Sequence, residues 1–251
     1  MAVEGKAIDA LSQFDLAPAL GAVGRSVGFT QSNLYMLISG ALIVALMAWG
    51  MRHRAVVPGR MQSLAESAYG FIDDMVLAQI GDEGRRFFPF VFTLFMFILF
   101  GNMLGLFPYA FTYTSHISMT FVMAMIVFVL ITAVAISLHG KKFLGYFFPE
   151  GAPIWLAPII IPVEIVSYLS RPISLSIRLF ANMVAGHVML KVFATFVVML
   201  AGLGAVGPFI AVMPLAINVA LVGFEVLVAF LQAYVFAILT CIYLHDAVHL
   251  H

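Results

Sequence analysis

The sequence has 251 residues, 63% of them hydrophobic and 10% charged, where soluble domains carry roughly 45–50% and roughly 25%. Twelve Lys and Arg balance twelve Asp and Glu, and mean hydropathy is +1.09. These values exclude a disordered chain, a disulfide-rich secreted domain and an ordinary soluble enzyme, show no basic excess to suggest nucleic acid, and leave an all-α polytopic membrane protein.

Residues 1–30 mix Glu4, Lys6, Asp9, Asp15 and Arg25 with small and apolar residues. They lack the basic start, short apolar core and cleavage site of a signal peptide and are read as an extramembrane segment, with 31–251 as one membrane domain. The first apolar run predicts an upright transmembrane helix at about 33–51. Arg52, Arg54 and Arg60 follow. Over 60–80, Met61, Leu64, Ala68, Phe71, Ile72, Met75 and Ile80 form a stripe at helical spacing, with Glu66, Asp73 and Asp74 off it. This predicts an amphipathic helix at the membrane surface or against a partner.

From Phe87 to Gly140 there are 54 residues without Asp, Glu, Lys or Arg. That length suits a hairpin of two spans, at about 88–106 and 116–138, joined by an interface loop around Pro108 and His116. The run 154–200 is about 70 Å of helix at 1.5 Å per residue, more than twice a bilayer core. Either Pro172 splits it or it crosses strongly tilted. A glycine-rich turn ending at Pro208 leads into a last over-long run at about 209–245.

Seven of the twelve basic residues lie at 52–60, 85–86 and 141–142. If the amphipathic helix does not cross, all seven share one side. The positive-inside rule then places the N-terminus outside and the C-terminus in the cytoplasm.

The last hundred residues carry charge inside apolar runs, where an ion costs a few kcal/mol or more and marks function by default. Glu164, Arg171 and Arg178 are spaced by sevens, with Ser167, Ser174 and Asn182 close to the same line. Seven steps of about 100° nearly complete two turns, so these residues make one polar ribbon. Asn218, Glu225 and Gln232 repeat the pattern on the last helix. Two readings stand: static pairing, with Glu164 bridged to Arg171 and Asn218 joining helices by hydrogen bonds, or a hydrated path. Arg178 has no acidic residue at i±3 or i±4 and cannot escape its charge by deprotonation, so its partner comes from elsewhere. His187, nine residues on, faces away from that ribbon and can relay protons. His116, His139, His245, His249 and His251 sit near helix ends, which does not suit paired haem ligation. The lone Cys241 is read as a buried thiol. No cofactor or metal is expected, and no nucleophile–base pairing supports catalysis by this chain alone.

The segment RPISLSIRLFANMVAGH (171–187) strongly resembles subunit a of the F-type ATP synthase. The likeness extends to GNMLGLFP (101–108), to Glu164, and to FLQAYVFAILTCIYL (230–244), and covers the chain from about residue 30 onward. It implies two long tilted helices hugging a rotating ring of proteolipid c subunits, with b-type peripheral-stalk subunits and the rest of the complex as partners in the bilayer. It implies that Arg178 is the stator arginine, that Asn182 and Gln232 stand near it, and that Glu164 belongs to the cytoplasmic access path. Some bacterial relatives carry Glu at the position of His187 and His at that of Glu225, so the exchanged pair is expected to meet and line the outer half-channel. The N-terminal segment favours a bacterial plasma membrane over a mitochondrial inner membrane. A secondary transporter with an Arg–carboxylate site, and a structural anchor for a redox complex, are the alternatives. A transporter would favour internal repeats, and none is visible.

Overall fold

Where no water reaches the backbone, a helix satisfies its own polar groups, and the long apolar runs of this chain form helices throughout. The computed structural model describes residues 29–52, 55, 57–107, 110–140, 143, 145 and 154–249. Among them are six α-helices and no strand: α1 (Gln31–Gly50), α2 (Arg60–Ile80), α3 (Phe88–Gly105), α4 (Ile117–His139), α5 (Ala157–Ala201) and α6 (Gly207–Val248). All except α2 are long and apolar enough to cross a membrane. The chain is an all-α, multi-pass membrane protein.

Pro172 does not split the long run. It lies inside α5, which continues unbroken for 45 residues despite Pro162 and Pro172. At 1.5 Å per residue this is about 68 Å, so α5 crosses a core of about 30 Å only at a strong tilt. α6, at 42 residues, is under the same constraint. Gly204 turns the chain with φ +81°, and Gly207 packs against the Leu200 carbonyl, where a Cβ would collide. The two helices therefore return on each other through a very short link and pack along their length.

The second half of α6 is the axis of the core. Ala229, Ala233, Ala237 and Cys241 recur every four residues and are fully buried. Small side chains let neighbouring backbones approach, which is how membrane helices gain packing without a hydrophobic drive. Ile72 and Val76 of α2, Val91 and Ile98 of α3, Val127 of α4, and Leu179 and Met183 of α5 complete this core. Polar contacts add to it between α4 and α5: Thr120 and Ser176 hydroxyls lie 3.0 Å apart, and those of Thr132 and Tyr168 2.7 Å apart.

The buried face of α2 differs from its hydrophobic stripe. Ala65, Ile72, Met75, Val76 and Ile80 are buried, whereas Met61 and Leu64 are 49% and 54% exposed. The cause is steric. Gly50 closes α1 against Ala65, with room for no Cβ (it would stand 2.6 Å from that of Ala65), and this fixes the rotation of α2.

Candidate functional site

The α5–α6 pair carries the intramembrane polar residues, and their environments separate them. Arg178 lies on the exposed face of α5, beside exposed Ser174, Ile177 and Ala181. Leu175 and Leu179, on the opposite face, are buried in the bundle. Among the described residues Arg178 has no ion-pair or hydrogen-bond partner. Glu164 is half-buried, two ribbon steps toward the start of α5, and makes no ion pair among the described residues.

Of the two readings of the ribbon, static pairing of Glu164 with Arg171 is not what the structure holds: Arg171 pairs elsewhere. Arg171 Nη1 lies 3.7 Å from Asp246 Oδ2 on α6. Its guanidinium also sits over the rings of Tyr243 (4.8 Å) and Tyr168 (5.3 Å). Arg171 thus holds the start of α5 to the end of α6 by charge and by cation–π contact.

One turn beyond Arg178, Asn182 Nδ2 donates to Gln232 Oε1 across the two helices at 2.7 Å. Gln232 is almost wholly buried. Asn182 and Gln232 border a cavity of about 350 Å³ between α5 and α6, which Gly186 and Glu225 also line.

His187 and Glu225 come together as the exchange of their residue types suggests: Nε2 stands 3.9 Å from Oε1. Glu225 is 5% exposed, and both of its oxygens are buried without a hydrogen-bond partner among the described residues. Gly186 makes the approach possible, since a Cβ there would stand 2.6 Å from Glu225 Oε1. Asn218, two turns before Glu225, makes no helix–helix hydrogen bond through its Oδ1, which is also buried without a partner among the described residues. A buried carboxylate and a buried amide oxygen left open on one helix line are hydrogen-bond acceptors that water would satisfy.

The profile of the family described as ATP synthase A chain matches residues 33–245. This chain belongs to the ATP synthase A chain family. It is 65% identical to a protein named ATP synthase subunit a from Granulibacter bethesdensis, over 97% of this chain and 98% of that protein. It is 60% identical to the protein of the same name from Acidiphilium cryptum, over 97% and 98%. A third relative of that name, from Parvibaculum lavamentivorans, is 53% identical over 98% and 95%. With such relatives and five candidate spans, this family member is a multi-pass bacterial membrane protein.

The loop between α3 and α4 stands where the sequence puts it, but the burial of its residues is not visible there. Phe111 to Ser115 are all buried. Thr112 Oγ1 lies 3.0 Å from His187 Nε2. The Tyr113 hydroxyl donates to the Phe97 carbonyl at 2.6 Å, and burial pushes its phenol well above the usual range. Thr114 Oγ1 donates to Asn102 Oδ1 at 2.8 Å, and Asn102 Nδ2 donates to the Ala229 carbonyl of α6 at 3.3 Å. His116 stacks on Phe111 with ring centroids 5.2 Å apart, and burial lowers its basicity. The available signal was the polar run Thr112 to His116 beside the GNMLG motif of this family member, which reads as an ordinary interface loop until the packing is known.

Proposed function

We propose that this chain is the proton-translocating stator subunit of an F-type ATP synthase, set in a bacterial plasma membrane with its N-terminus outside and its C-terminus in the cytoplasm. In this reading residues 1–30, most of which lie outside the described residues, are extramembrane, and 31–251 form one membrane domain. The chain performs no catalysis itself. Its partners are the ring of c subunits, b-type stalk subunits, the rest of the complex and the bilayer.

The observation that carries the proposal is a guanidinium on the outward face of a membrane helix with no partner among the described residues of its own chain. Facing lipid, such a charge costs a few kcal/mol at the least. A carboxylate on a neighbouring chain removes that cost. Arg178 is therefore matched to carboxylates that pass it on a rotating ring.

The electrostatics then give a cycle. In lipid a ring carboxylate holds its proton, because desolvation disfavours the charged form. Beside Arg178 the charged form is favoured and the proton leaves. Arginine stays charged throughout, so it also repels protons that would slip straight between the two access paths. Glu164 belongs to the cytoplasmic path, and His187 with Glu225 to the outer one. Asn182 and Gln232, bonded to each other one turn away, keep a neutral polar surface beside the arginine. Each proton moved through the membrane potential supplies about 2.3 kcal/mol per 100 mV for rotation.

Cross-linking tests the facing surface. Ser174→Cys and Ile177→Cys, both exposed beside Arg178, are expected to form disulfides with cysteines placed next to the carboxylate on the ring helices. Cysteine at Ser176, which is buried against Thr120, is expected not to. The reverse pattern would remove the ring from this face.

A further inference from the structure

We propose that Thr112, on the loop between α3 and α4, is a positioning residue for His187 that holds its Nε2 toward Glu225; the proposal rests on the role given above to His187 and Glu225. One ring nitrogen faces two groups. Thr112 Oγ1 is 3.0 Å from Nε2, at hydrogen-bond length, and Glu225 Oε1 is 3.9 Å from it. The hydroxyl is 4% exposed at the residue level, so bulk water does not compete for this contact.

A hydroxyl both donates and accepts, which a carboxylate or a carbonyl cannot do. When Nε2 is bare, Thr112 donates to it. When Nε2 carries hydrogen, Thr112 accepts from it. The ring therefore keeps Thr112 as a partner and keeps one orientation while it gains and loses a proton, and Nε2 stays beside the carboxylate. The second glycine of the GNMLG motif serves this contact. A Cβ at Gly105 would collide with the Thr112 side chain, and one at Gly101 with the Tyr113 ring. Hydrogen bonds hold the loop at Thr112: Ser115 Oγ donates to the Thr112 carbonyl at 2.6 Å, and the hydroxyl of the neighbouring Tyr113 donates to the Phe97 carbonyl. The hydroxyl is thus set by rigid neighbours, as a group that must hold a reacting geometry requires.

The test uses assembled complex in vesicles and measures ATP-driven proton pumping for Thr112→Val, Thr112→Ala, Thr112→Ser, His187→Ala and the double variant Thr112→Val with His187→Ala. Thr112→Val keeps the shape and loses the hydroxyl; Thr112→Ala guards against a Val-specific packing fault. Loss of one buried hydrogen bond predicts a fall of about three- to tenfold in both. Thr112→Ser is expected to pump as wild type. Thr112→Val is expected to add nothing to His187→Ala. Wild-type pumping without the hydroxyl, no rescue by Ser, or multiplying effects in the double variant would overturn the role of Thr112 while leaving His187 in the path. Wild-type pumping by His187→Ala would overturn the outer-path reading itself, and Thr112 with it.

Discussion

Gly186 and Glu225 occupy one space: the hydrogen at 186 is all that separates the α5 backbone from the Glu225 carboxylate. This contact lets a full-length acidic side chain be buried beside His187 in the α5–α6 seam.

Gly186→Ala should therefore push Glu225 out of place. Alanine is the better helix former by roughly 0.5–1 kcal/mol, so α5 itself does not suffer. The expected outcome is a complex that assembles but pumps about tenfold or more slowly, since a 1 Å displacement can cost that much. Normal pumping in Gly186→Ala vesicles would show that Glu225 need not sit where it does.

Asn102 joins the α3–α4 loop to α6 through Thr114 and the Ala229 carbonyl, and it is fully buried. Asn102→Ala removes both bonds. The expected loss is about 1–2 kcal/mol of stability, read as a lower thermal midpoint of the purified complex and faster proteolysis of the loop. An unchanged midpoint would mean that apolar packing alone seats this loop.

Arg171 and Asp246 are partly exposed, with side chains 21% and 36% accessible. A pair of that kind contributes about 1 kcal/mol or less. Asp246→Asn is therefore expected to be mild. Arg171→Ala also loses the stacking on Tyr168 and Tyr243 and should destabilise the complex more. Equal thermal midpoints for the two variants would argue that the tyrosine contacts contribute nothing.

Helix positions were largely legible in the sequence, because charge and length mark where an apolar segment enters and leaves a bilayer. The run 60–80 matches α2 at both ends, and 88–106 matches α3 to within one residue. Facing was less legible. In α2 the apolar stripe begins at Met61 and Leu64, which are exposed, because an apolar side chain gains little by leaving lipid for protein and packing of Gly50 on Ala65 decides instead. The spacing of Glu164 and Arg171 suggested a pair within one helix. Arg171 pairs instead with Asp246, 75 residues further on, which no local pattern reveals. The meeting of His187 and Glu225 was anticipated from their exchanged residue types. The third member of that contact, Thr112, comes from a loop whose composition is that of any turn, and only tertiary packing brings it in.

The proposed role of Arg178 is open to one decisive experiment: ATP-driven proton pumping and passive proton conduction in vesicles, wild type against Arg178→Ala, with assembly verified. If Arg178 has that role, the assembled variant loses pumping and leaks protons passively, because the charge proposed to engage the ring and separate the two paths is gone. Undiminished pumping by the assembled variant would contradict it and make Arg178 a structural residue.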